Sequence, residues 1–350
     1  MSAPSGGPGG GDAGSRRRLE EEIYRSLDAA FADEPTIAEA PHLREAIESY
    51  LRRPARLMRP RVLLAAAEAY LPQPEATYRR SGEAIYALAA ATELLHVFAL
   101  MHDDQLDGNP RPGVYPAQDR GTLLLAGDLL HTRAMALIEE CVAEFGLPRE
   151  ISRRVTSVSE KTIAGQAMDV HLLNEGPPPH RDRLYRLYDL KTGYYSFVAP
   201  LVVGALASAP ETSPTEIDTL EELGLRLGRA YQLRDDAADT AALLDQSDDA
   251  TAGSRIGTAT PRPWEFNLLV ALLTEIGSEE VGRALVERLR EEGAPGPELR
   301  ERLAGVRISL EVEPWILGLV DEAERWLQRL SLNSERRGFL LSRLLEIVEL

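Results

Sequence analysis

The chain has 350 residues, 44% hydrophobic and 27% charged, and its 39 Lys and Arg against 56 Asp and Glu leave a net charge of −17. Such a composition belongs to a globular chain rather than a disordered or collagenous one, and an acidic surface without a basic patch repels phosphate backbones, which excludes general nucleic-acid binding. Cys141 is the one cysteine, so an intrachain disulfide and a thiolate metal cluster are excluded and a reducing, cytoplasmic setting is expected.

Met1–Ser15 is dominated by Gly, Pro and Ser and has no apolar run, so residues 1–17 read as a disordered tail ahead of one domain spanning 18–350. Beyond it apolar residues recur at helical spacing and strand signals are scarce, which predicts an all-α fold. Breaks fall at Pro54, Leu71–Pro74, Gly108–Pro116, Gly176–Pro179, Pro210–Pro214, Asp245–Pro263 and Gly293–Pro297. Between them lie segments long enough for helices of several turns, with no shift of composition to mark a second domain. The expectation is a single large helical bundle. Two apolar windows, Ala84–Met101 and Phe197–Ala209, raise the question of a membrane span. Glu93 and His96 interrupt the first and Pro200 the second, short of the ~20 uninterrupted apolar residues a span needs, so both read as core helices and no membrane span is expected. Asp245–Pro263 is the longest loop-like stretch and reads as a lid or a surface excursion.

Two acidic clusters carry the chemistry. His102-Asp103-Asp104-Gln105-Leu106-Asp107 closes the first apolar helix, and on a helix Asp103 and Asp107 share a face. Three carboxylates at the C-terminal end of a helix repel one another and the dipole, so something positive must compensate. Gln232-Leu233-Arg234-Asp235-Asp236-Ala237-Ala238-Asp239 repeats the Asp-Asp-x-x-Asp spacing after a second apolar segment, Leu223–Tyr231. One such cluster reads most simply as a solvated helix end; two with identical spacing point to hard divalent cations. Mg²⁺ is usually held by one or two carboxylates together with substrate phosphates, and carboxylates without His or Cys disfavour zinc. No Gly-rich phosphate loop is present, so the metals must do the gripping. Nearly all basic residues are arginine; the lysines are Lys161 and Lys191. Lys191 opens the second apolar helix, where a compact ammonium suits a phosphate, while Lys161 reads as a surface lysine.

Taken together these residues resemble the trans-isoprenyl diphosphate synthases, the polyprenyl synthetase family that includes farnesyl and geranylgeranyl diphosphate synthases. The likeness runs from about Pro54 to Thr240 and keeps motif order: Leu94-Leu95-His96 through Asp107 resembles the first Asp-rich motif, Leu125–Leu130 the helix that follows, Gly165-Gln166-Ala167-Met168-Asp169 the Gly-Gln-x-x-Asp motif, Lys191-Thr192 the Lys-Thr pair, and Gln232–Asp239 the second Asp-rich motif. The resemblance implies an all-α bundle, the isoprenoid synthase fold, with a central cavity between the two acidic helices. It also implies Mg²⁺, three ions once diphosphate is bound, held by Asp103, Asp107, Asp235 and Asp239 with Asp104 and Asp236 in support, bridging an allylic diphosphate so that its carbon–oxygen bond ionises. Lys191 and Arg111 would add charge-assisted hydrogen bonds to the same oxygens. Gln166, Asp169, Thr192 and Gln232 would line the reaction centre, and Phe98, Tyr194, Tyr195 and Phe197 are candidate aromatic walls for the allylic cation. A homodimer is expected by the same resemblance.

The likeness breaks where the family holds isopentenyl diphosphate. Its Gly-Lys-Arg-x-Arg-Pro motif reads Ala55-Arg56-Leu57-Met58-Arg59-Pro60, its histidine is kept as His96, and its Arg-Arg pair has become Arg111-Pro112. After the second acidic motif, Ser254-Arg255-Ile256-Gly257-Thr258-Ala259 resembles Gly-Lys-x-Gly-x-Asp, with Arg255 for the lysine and Arg262 as a second basic residue. Ionisation is nearly fully equipped, whereas two guanidiniums for the second diphosphate are gone. The expected activity is Mg²⁺-dependent condensation of an allylic diphosphate with isopentenyl diphosphate. Phe98, five residues before Asp103, resembles family members making short products, so a product of about C15 to C20 is expected. Transfer to an aromatic or indole-like acceptor, terpene cyclisation, and a non-catalytic subunit of a heteromeric synthase stand as alternatives.

Overall fold

The computed structural model describes residues 10–32, 39–53, 55–72, 78–107, 120–172, 179–244, 266–275, 278–292 and 308–349. Among these every regular element is helical, in chain order α1 (Gly10–Ala32), α2 (Pro41–Leu51), α3 (Met58–Tyr70), α4 (Tyr78–Asp107), α5 (Arg120–Phe145), α6 (Glu150–His171), α7 (Arg181–Tyr188), α8 (Ala199–Ser208), α9 (Pro214–Leu244), α10 (Asn267–Glu275), α11 (Glu279–Glu292), α12 (Ile308–Leu327) and α13 (Ser334–Val348). A π-helical segment, Asp189–Val198, joins α7 to α8 without a break. The all-α expectation holds. One difference lies at the start: α1 begins at Gly10, within the stretch read as a tail. Leu19, Ile23 and Leu27, all beyond the stretch read as a tail, are buried on one face of this helix, and Arg16–Glu20 and Arg17–Glu21 pairs at 3.0 and 2.9 Å tie the preceding turn to it.

The helices fall into two compact units. The first holds α1–α5, the start of α6 and nearly all of α8. Its spine is α4, a 30-residue helix packed along α5, with α1 and α3 against it, while α2 lies on α5. Leu88, Leu94 and Met101 of α4 and Leu123 and Leu130 of α5 are fully buried in that core. The alanine-rich run of α4 (Ala87, Ala89, Ala90, Ala91) combines high helix propensity with a thin surface that lets neighbouring helices approach closely.

The second unit holds the rest of α6, α7, the π segment and α9–α13. Here α9 is central, packed along both α12 and the π segment. Tyr188, Leu233, Phe266, Leu269 and Leu285 belong to its core. Two glycines let backbones meet: a Cβ on Gly165 of α6 would lie 2.4 Å from the Lys191 backbone N, and one on Gly228 of α9 would lie 2.6 Å from the Gly193 Cα. The π segment is therefore clamped on two sides at van der Waals limits. The Arg229 guanidinium adds a bidentate pair to Asp189, at 2.7 Å for each bond, at the segment's first residue.

Two helical stretches, Gly82–Leu106 and Arg181–Ser208, are long and apolar enough to cross a membrane by length and composition. Both are mostly buried inside the protein, as expected of core helices.

Candidate active site

In the first unit the site residues sit at the C-terminal end of α4. Asp104 is 2% exposed, and its Oδ2 accepts a hydrogen bond from the Tyr50 hydroxyl of α2 at 2.8 Å. Asp103 is half-buried beside it, and Asp107 is the last residue of the helix, its side chain outside the described residues. Phe98, earlier on the helix, meets His102 edge-on and His131 of α5 at a tilt, with ring centroids 4.7 and 4.8 Å away. His102 Nε2 also lies 3.2 Å from the Leu124 carbonyl and 3.5 Å from Asp128. Burial and the nearby His102 lower the His131 pKa against the pull of Asp128, which keeps that ring apolar in character.

Deeper in α4, Glu93 is 3% exposed and its Oε2 has no hydrogen-bond partner among the described residues. Burial pushes its pKa up to about 7, opposed by the charge of Arg59. Arg59 is itself buried on α3, whereas Arg56 is exposed and His96 half-buried. Between the two arginines, Leu57 takes a left-handed conformation at φ 50°, ψ 39° and buries its side chain at the N-cap of α3. A non-glycine residue in that region costs about 1–2 kcal/mol, and such strain clusters at functional sites.

The second unit assembles the remaining motifs into two hydrogen-bonded groups that meet at the consecutive residues Lys191 and Thr192. Lys191 Nζ donates to Asp169 Oδ2 at 2.5 Å, joining the Lys-Thr pair to the Gly-Gln-x-x-Asp motif. Next to it, the Thr192 hydroxyl donates to Gln232 Oε1 at 2.7 Å, and Gln232 Nε2 donates to Asp236 Oδ1 at 2.6 Å. The Tyr188 hydroxyl completes the chain by donating to Asp236 Oδ2 at 2.5 Å. Burial raises the Asp236 pKa to about 7 even though the Tyr188 and Gln232 hydrogen bonds and the Lys191 charge act the other way. Burial and the adjacent carboxylate raise that of Tyr188 well above its ordinary value. Asp235 and Asp239 are exposed on the same helix.

The aromatic residues divide. Tyr195 is half-buried, Phe197 is fully buried against Tyr231 at 5.8 Å, and one face of Tyr194 is covered by Lys161, whose ammonium lies 3.7 Å from the ring centroid. Lys161, read as a surface lysine, thus packs onto the π segment. Gln166 is half-buried on α6. Arg111, Pro112, Arg255 and Arg262 lie outside the described residues. Three partners escaped sequence reasoning: Tyr50, Tyr188 and Asn267, whose Nδ2 donates to Asp169 Oδ1 at 2.7 Å. Tyr188 stands directly before the Asp189–Lys191 run, which is the one signal that pointed to it.

Among the described residues no three His, Cys, Asp or Glu side chains converge closely enough to hold a metal ion by themselves. The donor set is nevertheless that of a hard cation: each triplet supplies carboxylates without thiolate or imidazole, and a carboxyl as costly to ionise as Asp236 gains from positive charge nearby. Mg²⁺ takes few protein carboxylates and fills its shell with water and substrate phosphate, so the residues fit it.

The family model described as Polyprenyl synthetase matches residues 40–253. A geranylfarnesyl diphosphate synthase from Natronomonas pharaonis is 29% identical over 239 residues, covering 63% of this chain and 67% of that protein. A geranylgeranyl diphosphate synthase from Sulfolobus acidocaldarius is 26% identical over 269 residues, covering 75% of this chain and 76% of that one. Among solved structures, a geranylgeranyl pyrophosphate synthase from Corynebacterium glutamicum, complexed with isoprenyl diphosphate and magnesium, superposes with a TM-score of 0.68 at 22% identity, over 96% of this chain and 98% of that one.

Proposed function

The chain belongs to the polyprenyl synthetase family and is a trans-prenyltransferase; from that premise we propose that it ionises an allylic diphosphate with Mg²⁺ and condenses it with isopentenyl diphosphate to a short-chain prenyl diphosphate. The observation that carries this reading is the pair of hydrogen-bonded groups Asp169–Lys191 and Thr192–Gln232–Asp236–Tyr188, in which side chains from three separate motifs hold one another in place. Asp103, Asp107, Asp235 and Asp239 would hold the metal, with Asp104 and Asp236 as their tethered neighbours. When bound, Mg²⁺ neutralises the leaving diphosphate and acts as Lewis acid and template. The chain's own part is positioning. Lys191 offers an ammonium to the diphosphate oxygens, Gln232 and Thr192 fix the helix faces around it, and Phe98 with His131 and His102 forms an apolar wall for the prenyl tail. Phe98 favours a product of about C15 to C20, the wall being too bulky for a longer chain.

A second reading keeps the donor chemistry and changes the acceptor. It is favoured by Leu57, whose buried apolar side chain stands where the resemblance expects an arginine for the second diphosphate. Incubation with Mg²⁺ and geranyl or farnesyl diphosphate, with and without isopentenyl diphosphate, tests both by mass spectrometry. A longer prenyl diphosphate formed only with isopentenyl diphosphate supports condensation. Diphosphate release indifferent to isopentenyl diphosphate supports a changed acceptor, and no Mg²⁺-dependent release from any allylic diphosphate refutes the proposal.

A further inference from the structure

Asn267 opens α10 in the second unit and is 2% exposed. Its Nδ2 donates to Asp169 Oδ1 at 2.7 Å and lies 3.4 Å from the Asp169 carbonyl, while its Oδ1 is buried with no hydrogen-bond partner among the described residues. An orphaned amide oxygen in the core is a cost. The side chain therefore contributes through its N–H, and that N–H is aimed at the carboxylate that also holds Lys191.

The arrangement divides Asp169 between two donors. Oδ1 takes the neutral amide of Asn267 and Oδ2 takes the ammonium of Lys191 at 2.5 Å. A buried carboxylate held by its ammonium alone resists losing it, because the charge left behind has no other partner. A second, neutral donor lowers that resistance: Asp169 keeps one good hydrogen bond when Lys191 turns to another anion. We propose that Asn267 is a positioning residue that holds Asp169 and so lets Lys191 transfer between Asp169 and the diphosphate of the substrate. This rests on the reading of Lys191 as a diphosphate ligand given above.

Calorimetric titration with inorganic pyrophosphate in the presence of Mg²⁺ tests it on four proteins: wild type, Asn267→Leu, Lys191→Ala and the double variant. Leucine keeps the branched shape and heavy-atom count of asparagine while removing both the amide donor and the unpaired oxygen, and melting temperatures confirm that the bulkier methyls leave the fold intact. Where Asn267→Leu does not fold, Asn267→Ser, which keeps a small donor, replaces it in the cycle with a weaker effect of the same sign. The expected result is a loss of roughly 10- to 100-fold in pyrophosphate affinity for Asn267→Leu, the weight of a hydrogen bond to a charged group. In the Lys191→Ala background the same substitution is expected to cost less than about threefold, since the ammonium it acts through is gone. Equal losses in the two backgrounds mark a merely structural residue and overturn the proposal, as does an unchanged affinity in Asn267→Leu. If wild type and Lys191→Ala bind pyrophosphate equally, the diphosphate reading of Lys191 fails and takes the proposal with it.

Discussion

Replacing Glu93 by glutamine is expected to stabilise the protein, and to do so only at neutral and alkaline pH. Glu93 is buried on α4 with an unpartnered Oε2, and its pKa stands at about 7, raised by burial from an ordinary 4.5 against the counteracting charge of Arg59. The unfolded chain releases this proton near 4.5 and the folded chain near 7. Between those values the folded state binds the extra proton, so stability falls as pH rises, and above about 7 the full cost is present. At about 1.4 kcal/mol per pH unit the cost is about 3 kcal/mol at pH 8 and about 0.8 kcal/mol at pH 5. Glutamine keeps the shape of the protonated acid and cannot ionise. For a chain of this length 1 kcal/mol corresponds to roughly 1–2 °C, so Glu93→Gln should melt about 4 °C above wild type at pH 8 and within about 1 °C of it at pH 5. Calorimetric melting across pH 5 to 8 measures both. Parallel profiles for the two proteins, or a variant destabilised at pH 8, would refute the reasoning.

Other consequences concern the site directly. Gly165→Ala places a Cβ 2.4 Å from the Lys191 backbone N, and the forced shift should cost about 1–3 kcal/mol in melting experiments while lowering kcat by at least about tenfold through displacement of Lys191. A drop in kcat no larger than the stability loss explains would count against Lys191 in the reaction. Tyr50→Phe and Tyr188→Phe leave the buried Asp104 and the half-buried Asp236 short of a hydrogen bond and should each destabilise by about 1–3 kcal/mol in denaturant titrations; a neutral result would mean that water replaces the hydroxyl. Phe98→Ala opens the space between His102 and His131 and should shift products to longer chains by mass spectrometry, with an unchanged product distribution placing the chain-length wall elsewhere.

Helical periodicity made the fold class legible, and proline and glycine clusters marked where helices break, because both act locally along the chain. Two features were not legible for the opposite reason. Asp189–Val198 carries an ordinary amphipathic pattern, and what accompanies its π geometry is contact with distant positions: Gly165 and Gly228 at its backbone and Arg229 on Asp189. The start of α1 lies among glycines that score against a helix, and it is continuous with a turn whose buried face, from Leu19 to Leu27, follows them. In the site the acidic triplets stood out by spacing alone. Their tyrosine partners did not, since Tyr50 is 54 residues from Asp104 and Tyr188 is 48 from Asp236, and no local rule links such pairs.

Those tyrosines also explain how two triplets of like charge are tolerated. In each, the middle aspartate is the one held by a buried tyrosine hydroxyl, Asp104 by Tyr50 and Asp236 by Tyr188. A carboxylate with an oxygen committed to a neutral donor has less to offer a cation, but it fixes the rotation of its helix end. The outer members of the second triplet, Asp235 and Asp239, stay exposed, and Asp103 of the first is half-buried. The second triplet thus separates into a central anchor and solvent-reaching flanks four residues apart, which share one face of the helix. Solvation keeps the flanking charges inexpensive until a cation arrives, and the anchor limits how far they must be reoriented to meet it. The Asp-Asp-x-x-Asp spacing therefore carries two requirements at once: an i, i+4 pair to present toward a cation, and a neighbour about 100° around the helix to tie it to the core.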